Sequence, residues 1–299
     1  MNLLITGAWG KAKAYIGQLE RFGHEVRFLQ FEKDELPCDY EWVEGVVCNG
    51  LFLSHPIERF VNLKYIQLTS AGFDRVPMDY VKENKIEICN ARGVYSIPMA
   101  EFAVAGVLEL YKKMRFFTEK QQEKKWEKHR GLMELWGKSV AIVGCGSVGT
   151  ECAKRFKAFG CTIVGVDLFP REDNCYDRMV ELRELDRELP GADVVVLTLP
   201  LTRETRYMMN SERLGLLKAS AVLVNIARGA VVDTSALVER LDGIGGAVLD
   251  VFEEEPLNEN SPLWTKENVI LTPHNSFVGE GNDERMSKVF LENLRGRNK

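Results

Sequence analysis

Apolar residues fall in short continuous runs, separated by amphipathic stretches, over almost the whole chain. In the first third these runs lie at residues 3–6, 26–29, 45–48, 65–68 and 86–89. Their length and their content of Val, Ile and Leu suit strands buried on both faces. Residues 11–21 carry a helical pattern that Gly23 closes. Strands alternating with helices predict an α/β fold on a parallel sheet.

A long apolar helix is predicted from Ser96 through Met99, Phe102, Val104, Val107, Leu108 and Tyr111. Ser96 is its expected N-cap, Pro98 suits the first turn, and Glu101 favours the positive end. A polar arm over 119–130 follows and carries Trp126. It reads as a solvated helix end or as a subunit contact. A second alternating series begins at Lys138, with strands at 140–143, 162–166, 194–199, 221–226, 247–249 and 269–271, and a last helix is predicted over 282–297. The pattern predicts two doubly wound parallel-sheet α/β domains, Rossmann-like or flavodoxin-like, with a cleft between them. Residues 1–94 plus 276–299 would bind substrate and residues 95–275 the nucleotide, with hinges near 94–98 and 274–277.

Composition narrows the class. The 299 residues are 45% apolar and 28% charged, as in ordinary soluble globular chains. A net charge of −5 argues against a nucleic-acid partner. The start, Met1-Asn-Leu-Leu-Ile-Thr-Gly, reads as a first strand and not as a signal peptide, and no run approaches the ~20 residues of a membrane span. The seven cysteines show no CxxC or Cys/His spacing, so neither a disulfide framework nor a metal site is indicated. Reduced thiols in the cytoplasm are expected.

Residues 140–143 lead directly into Gly144-Cys-Gly-Ser-Val-Gly149. A helical stretch over 150–159 follows, and the next strand ends at Asp167, eighteen positions after Gly149. Each part has a task in holding a dinucleotide. Gly144 permits the tight turn, Gly146 lets a pyrophosphate approach the backbone, and Gly149 lets helix pack on strand. The helix N-terminus offers unpaired N–H groups to phosphate. Asp167 can accept hydrogen bonds from the adenosine ribose and would repel a 2′-phosphate, which favours NAD over NADP. The earlier Gly7-Ala-Trp-Gly10 lacks a third glycine and a well-placed acid, and reads as a plain strand–helix turn.

Three polar residues follow in order: Arg228 in Asn225-Ile-Ala-Arg-Gly229, Glu255 in Glu253-Glu-Glu-Pro256, and His274 in Thr272-Pro-His274. The trio offers a cation to hold an anionic substrate, an imidazole to carry a proton and a carboxylate to tune that imidazole. An imidazole, which titrates near ~6.5 when unperturbed, can carry the proton. A carboxylate within hydrogen-bond reach favours its charged form, and Glu255 is the candidate. Arg228 presents a planar, permanently charged fork suited to a carboxylate.

With Glu134-Leu-Trp-Gly-Lys138, Leu199-Pro-Leu-Thr202, Val232-Asp233, Leu249-Asp-Val-Phe252 and Glu255-Pro-Leu257, these motifs make the chain resemble the D-isomer-specific 2-hydroxyacid dehydrogenase family. The likeness continues more weakly through Thr69-Ser-Ala-Gly-Phe-Asp74. It implies an NAD(H)-dependent oxidoreductase that reduces a small 2-keto acid to the D-2-hydroxy acid. Arg228 would clamp the carboxylate and His274 would act as acid and base. Glu255, selected over Glu253 and Glu254 by its pairing with Pro256, would tune the histidine. The resemblance also implies that Ser147 and Val148 lie under the pyrophosphate. Leu199, Pro200 and Thr205 would line the adenine and ribose side, and Ile226, Ala227 and Asp250 would face the nicotinamide. Ser70, Ala71 and Gly72 would offer backbone N–H groups to the substrate carboxylate. Asn49-Gly50 is either a facing wall or a simple turn. A homodimer is expected through the long helix and the arm after it.

Two departures from the family pattern bear on the substrate. Phe277 stands where many members have small residues and could narrow the pocket. The first third has no arginine-rich signature for a substrate phosphate, and no appended regulatory domain is expected. Two alternatives stay open. One is an NADPH-dependent glyoxylate or hydroxypyruvate reductase, with Arg171 meeting the 2′-phosphate. The other is a non-catalytic NAD(H)-sensing protein on the same fold.

Overall fold

The computed structural model describes residues 1–295, which divide into two compact units: Met1–Tyr95 together with the segment from Gly279, and Ser96–Val278. In the first unit, β1 (Asn2–Thr6), β2 (Glu25–Leu29), β3 (Gly45–Cys48), β4 (Tyr65–Leu68) and β5 (Glu87–Cys89) form a parallel sheet in the order β2-β1-β3-β4-β5. Helix α1 (Ala12–Arg21) joins β1 to β2, and α2 (Met78–Glu83) precedes β5. The central strands are apolar on both faces because both are covered. Val46 and Cys48 of β3 join a core with Phe60, while Val47 points to the opposite side with Trp9 and Leu19. The turn after β1 is plugged by Trp9, which is fully buried and donates its indole N–H to Ser287 Oγ at 3.1 Å.

The second unit opens with α3 (Ser96–Tyr111) and α4 (Met114–Gln122). Its sheet comprises β6 (Ser139–Val143), β7 (Thr162–Asp167), β8 (Arg178–Glu181), β9 (Val194–Leu197), β10 (Val222–Asn225), β11 (Gly246–Leu249) and β12 (Val269–Leu271). These seven strands are all parallel, in the order β12-β11-β10-β9-β6-β7-β8. The helices α5 (Ser147–Ala158), α6 (Leu185–Glu188), α7 (Ser211–Gly215) and α8 (Thr234–Arg240) lie between strands. Successive side chains alternate between two cores. Ala141 and Val143 of β6 meet Leu189 and Leu214 on one face; Val140 and Ile142 meet Phe156 and the α3 residues Ala103 and Val107 on the other. Strand order reverses between β6 and β9, the switch point at which ligands of such sheets bind.

Several elements depart from expectation for physical reasons. β8 was not predicted: Arg-Met-Val-Glu has no apolar run, because the strand is the half-covered sheet edge. Helix α4 takes up the first residues of the polar arm. α5 starts at Ser147, ahead of the apolar periodicity, because the glycine turn leads straight into it. Ser96 is not an N-cap; it lies inside α3, and its buried Oγ has no partner among the described residues. Helix α9 (Asn282–Leu294) returns to the first unit, where Met286, Phe290 and Leu294 pack with Trp9. Its expected continuation to Arg297 falls outside the described residues. No described helix is long and apolar enough to cross a membrane.

Candidate active site

A parallel sheet places the carboxyl ends of all its strands along one edge. The candidate residues of the second unit follow those ends: Gly144 after β6, Asp167 closing β7, Leu199 after β9, Arg228 after β10, Asp250 and Glu255 after β11, and His274 after β12. The sheet therefore collects polar residues spread over more than a hundred positions of sequence.

The glycine turn is built as a phosphate cradle. Gly144 has φ +99°, and a Cβ there would stand 2.7 Å from the Leu199 nitrogen. A Cβ on Gly149 would stand 2.1 Å from the Gly144 carbonyl oxygen, so only glycine lets α5 sit this close to the turn. A Cβ on Gly146 meets nothing within 4 Å. The turn is thus filled beneath by protein and open above Gly146, and Ser147 and Val148 begin α5, where first-turn N–H groups lack intrahelical acceptors. These features fit a nucleotide pyrophosphate. Asp167 is tied to the same turn: its Oδ2 accepts the Cys145 N–H at 2.6 Å and its Oδ1 the Phe169 N–H at 3.0 Å. Arg171 donates to the carbonyl of the same Cys145 at 3.1 Å and lies 3.7 Å from the Asp173 carboxylate.

His274 and Glu255 form a pair, with Nδ1 2.9 Å from Glu255 Oε2. Glu255 Oε1 accepts the Phe252 N–H at 3.0 Å, which fixes the carboxylate in its own turn. His274 Nε2 makes no hydrogen bond among the described residues. Of the three neighbouring acids, only Glu255 meets the imidazole; Glu253 accepts from the Thr234 N–H and Tyr207 Oη instead. His274 has φ +51° and is held by N–H bonds to the carbonyls of Asp250 at 2.8 Å and Thr272 at 3.0 Å. Phe277 stands edge-on to the imidazole, with ring centroids 6.2 Å apart.

Arg228 is half-buried, and its guanidinium donates to the Ala227 carbonyl at 2.7 Å. Its loop is fastened by Asn225, which is fully buried. Asn225 Nδ2 donates to the Arg228 carbonyl at 3.0 Å, and its Oδ1 accepts the Ala227 N–H at 3.1 Å. An amide closing the apolar run Val222-Leu-Val-Asn225 was the available signal, since a buried polar side chain must find partners. Gly229 then presses against the next loop. A Cβ there would fall 1.8 Å from the Phe252 carbonyl carbon, so the Arg228 loop and the Glu255 turn meet backbone to backbone.

Several expected ligand contacts are placed inside the protein. Asp250 is fully buried; Oδ1 accepts from Thr272 Oγ1 and the Asn275 N–H, each at 2.7 Å, and Oδ2 accepts the Ser276 N–H at 3.0 Å. It organises the loop that carries His274. Thr205 is buried too, its hydroxyl donating to the Pro200 carbonyl at 2.8 Å and accepting the Thr202 N–H at 2.7 Å. Leu199, Ile226 and Ala227 are buried, whereas Pro200 is exposed.

In the first unit, Ser70, Ala71 and Gly72 follow β4, and their N–H groups donate to no acceptor among the described residues. The loop is closed from the carbonyl side, by Asn90 Nδ2 to Ala71 at 2.6 Å and Ser70 Oγ to Gly72 at 2.8 Å. Asn49-Gly50 is a turn held by Glu32, whose two carboxylate oxygens accept its N–H groups at 2.6 Å each.

A glycine cradle at the switch point of a doubly wound sheet, with a carboxylate–imidazole pair along the same edge, defines a nicotinamide-nucleotide dehydrogenase. Residues 104–276 match the D-isomer specific 2-hydroxyacid dehydrogenase, NAD binding domain, and the chain belongs to that family of oxidoreductases. It is 37% identical over 241 residues to a glyoxylate reductase of Thermofilum pendens, covering 78% of this chain and 71% of that protein. It also superposes on a D-lactate dehydrogenase of Aquifex aeolicus complexed with NAD and lactic acid, with TM-score 0.77, 26% identity, and coverage of 99% and 95% of the two chains. A D-isomer specific 2-hydroxyacid dehydrogenase of Xanthobacter autotrophicus in complex with NADPH and MES gives TM-score 0.78 and 29% identity, covering 98% and 94%.

Proposed function

We propose that the protein reduces a small 2-keto acid to the D-2-hydroxy acid, and runs the reverse reaction, with NAD(H) as its nucleotide. The observation that carries this reading is the His274–Glu255 pair at 2.9 Å, which leaves Nε2 available on the edge that also holds the glycine cradle. When bound, the reduced nicotinamide supplies the hydride. His274 holds the proton at Nε2 and delivers it to the carbonyl oxygen, while Glu255 at Nδ1 fixes the orientation of the ring. In the oxidative direction neutral His274 takes the proton back. Arg228 binds the substrate carboxylate and polarises the carbonyl beside it. In the first unit, Ser70, Ala71 and Gly72, whose N–H groups donate to no acceptor among the described residues, offer an anion site for a carboxylate.

For the nucleotide, Gly144, Gly146, Ser147, Val148 and Gly149 hold the pyrophosphate and Asp167 the adenosine ribose. Leu199, Pro200 and Thr205 shape the adenine side; Ile226, Ala227 and Asp250 shape the nicotinamide side. Asp167 favours NAD, while Arg171 beside the turn supports the NADPH alternative. The working form is a cytoplasmic homodimer joined through α3 and the arm after it. Trp126 on that arm is 98% exposed, a large apolar area for a partner to cover.

The test is NADH and NADPH oxidation with glyoxylate, hydroxypyruvate and pyruvate, with chiral analysis of the product. The proposal predicts turnover of at least one acid, D-configured product wherever that product is chiral, and a higher kcat/KM with NADH. Tight NADH binding without turnover of any acid would contradict it and favour the sensing alternative.

A further inference from the structure

The turn that carries Glu255 is tied down on its other side by groups that the reaction chemistry does not require. Glu253 Oε2 accepts from Tyr207 Oη at 2.7 Å, and Oε1 accepts the Thr234 N–H at 2.9 Å. Tyr207 is anchored in turn by its own N–H, which donates to the Ala230 carbonyl at 2.7 Å. Its φ of +51° is a left-handed conformation that a bulky aromatic adopts only where its surroundings impose it. His274, at the other end of the same set of contacts, has the same φ. Arg206 lies over the Tyr207 ring, 4.9 Å from its centroid. Tyr207 is 38% exposed, so burial does not explain this set of constraints.

The contacts tie the Tyr207 loop to three others. Tyr207 reaches the 228–234 loop through Ala230 and the 252–255 turn through Glu253, and Glu255 then reaches His274. Gly229 presses the first two loops together at Phe252. We infer that Tyr207 and Glu253 are positioning residues, which hold the turn so that Glu255 presents Oε2 to His274 Nδ1. This rests on the reading of His274 as the acid and base group.

The charged and titratable groups around the pair are Arg206 and Tyr207, Glu253 beside Glu255, Asp250 beneath the His274 loop, and Arg228 on the loop against Phe252. Burial pushes the Glu253 carboxyl up, but hydrogen bonds from Thr234 and Tyr207 outweigh it and hold the group below the usual carboxylate range. The bond to Glu253 raises the Tyr207 hydroxyl in return. At neutral pH the contact is therefore a phenol donating to a carboxylate.

The test compares Tyr207→Phe, Glu253→Ala and Glu255→Gln with the parent enzyme. Tyr207→Phe removes one oxygen atom and leaves the ring to pack. Nitrogen-15 spectra of His274 at alkaline pH read which ring nitrogen keeps the proton, and an acceptor at Nδ1 favours the Nδ1–H form. Tyr207→Phe and Glu253→Ala are expected to move the population toward Nε2–H by about threefold, in the direction of Glu255→Gln. The kcat with NADH and glyoxylate is expected to fall about threefold, with KM for NADH unchanged. On the Glu255→Gln background, Tyr207→Phe adds nothing further. An unchanged tautomer ratio, or losses that simply add in the double variant, would overturn the inference. Failure of the underlying reading looks different: His274→Ala would keep its turnover, while the tautomer ratio still decides the positioning.

Discussion

Gly229 is the point where the loop bearing Arg228 touches the turn bearing Glu255, and Gly229→Ala tests how closely the two depend on each other. The new Cβ would lie 1.8 Å from the Phe252 carbonyl carbon, 2.0 Å from its oxygen and 2.4 Å from the Glu253 nitrogen. These are backbone atoms, so no side chain can swing away. Carbon contacts are comfortable near ~3.5 Å, and the loops must part by about 1.5 Å to make room. Overpacking of this kind costs about 1–3 kcal/mol of stability. A displacement of ~1 Å between groups that act together can cost about a hundredfold in rate. We expect Gly229→Ala to lower kcat/KM for NADH-dependent glyoxylate reduction about a hundredfold, and to hold the Kd for NADH within about threefold, since the glycine cradle lies elsewhere on the edge. Stopped-flow kinetics, NADH fluorescence titration and urea unfolding read the three quantities. A variant that folds and keeps kcat/KM within about threefold would refute the coupling of the two loops.

Other outcomes follow from single contacts. Asp167→Asn removes a repulsion of about 1–2 kcal/mol toward a 2′-phosphate, so the NADPH to NADH ratio of kcat/KM should rise about tenfold. Adding Arg171→Ala should reverse most of that gain, and a ratio unmoved by either change would remove both residues from the selection. Asp193 is mostly buried and accepts from the Ser139 N–H at 2.9 Å and Lys218 Nζ at 3.0 Å. Burial pushes its carboxyl up, but these bonds outweigh it and hold the group below the usual aspartate range. Its contribution is therefore complete above pH ~4 and fades as pH falls through the lowered folded value. Asp193→Asn should cost about 1–3 kcal/mol at pH 7 and progressively less below pH 4, measured by urea unfolding; an equal loss at both pH values would contradict the assignment. Burial pushes the Cys145 thiol to about 12. Iodoacetamide at pH 8 should leave it unlabelled in the native protein and modify it in urea, as peptide mass mapping would show.

How much of this was legible in the sequence differs by residue. The cradle was readable because each glycine answers a local demand, and φ at Gly144 and the close contact at Gly149 meet the demands expected of them. The edge strand β8 was not, because half-covered strands carry no apolar run. Tyr207 and Glu253 were invisible as holding groups for a different reason. Their partners are backbone groups or side chains of loops that meet only after the sheet has aligned its strand ends. Asp250 and Thr205 show the same limit in reverse, since the resemblance implied ligand contacts while their bonds run to other groups of the protein. Ser96 had the residue type of a cap, but the helix begins there and buries it.

The central claim is that His274 moves the proton in a nicotinamide-dependent reduction. Single-turnover oxidation of NADH by glyoxylate, hydroxypyruvate or pyruvate, compared between the parent enzyme and His274→Ala, measures this directly. The account predicts a fall of about 10²–10⁴ in the rate constant with NADH binding retained, the size of a general-acid contribution. An unchanged rate constant in the variant would contradict it.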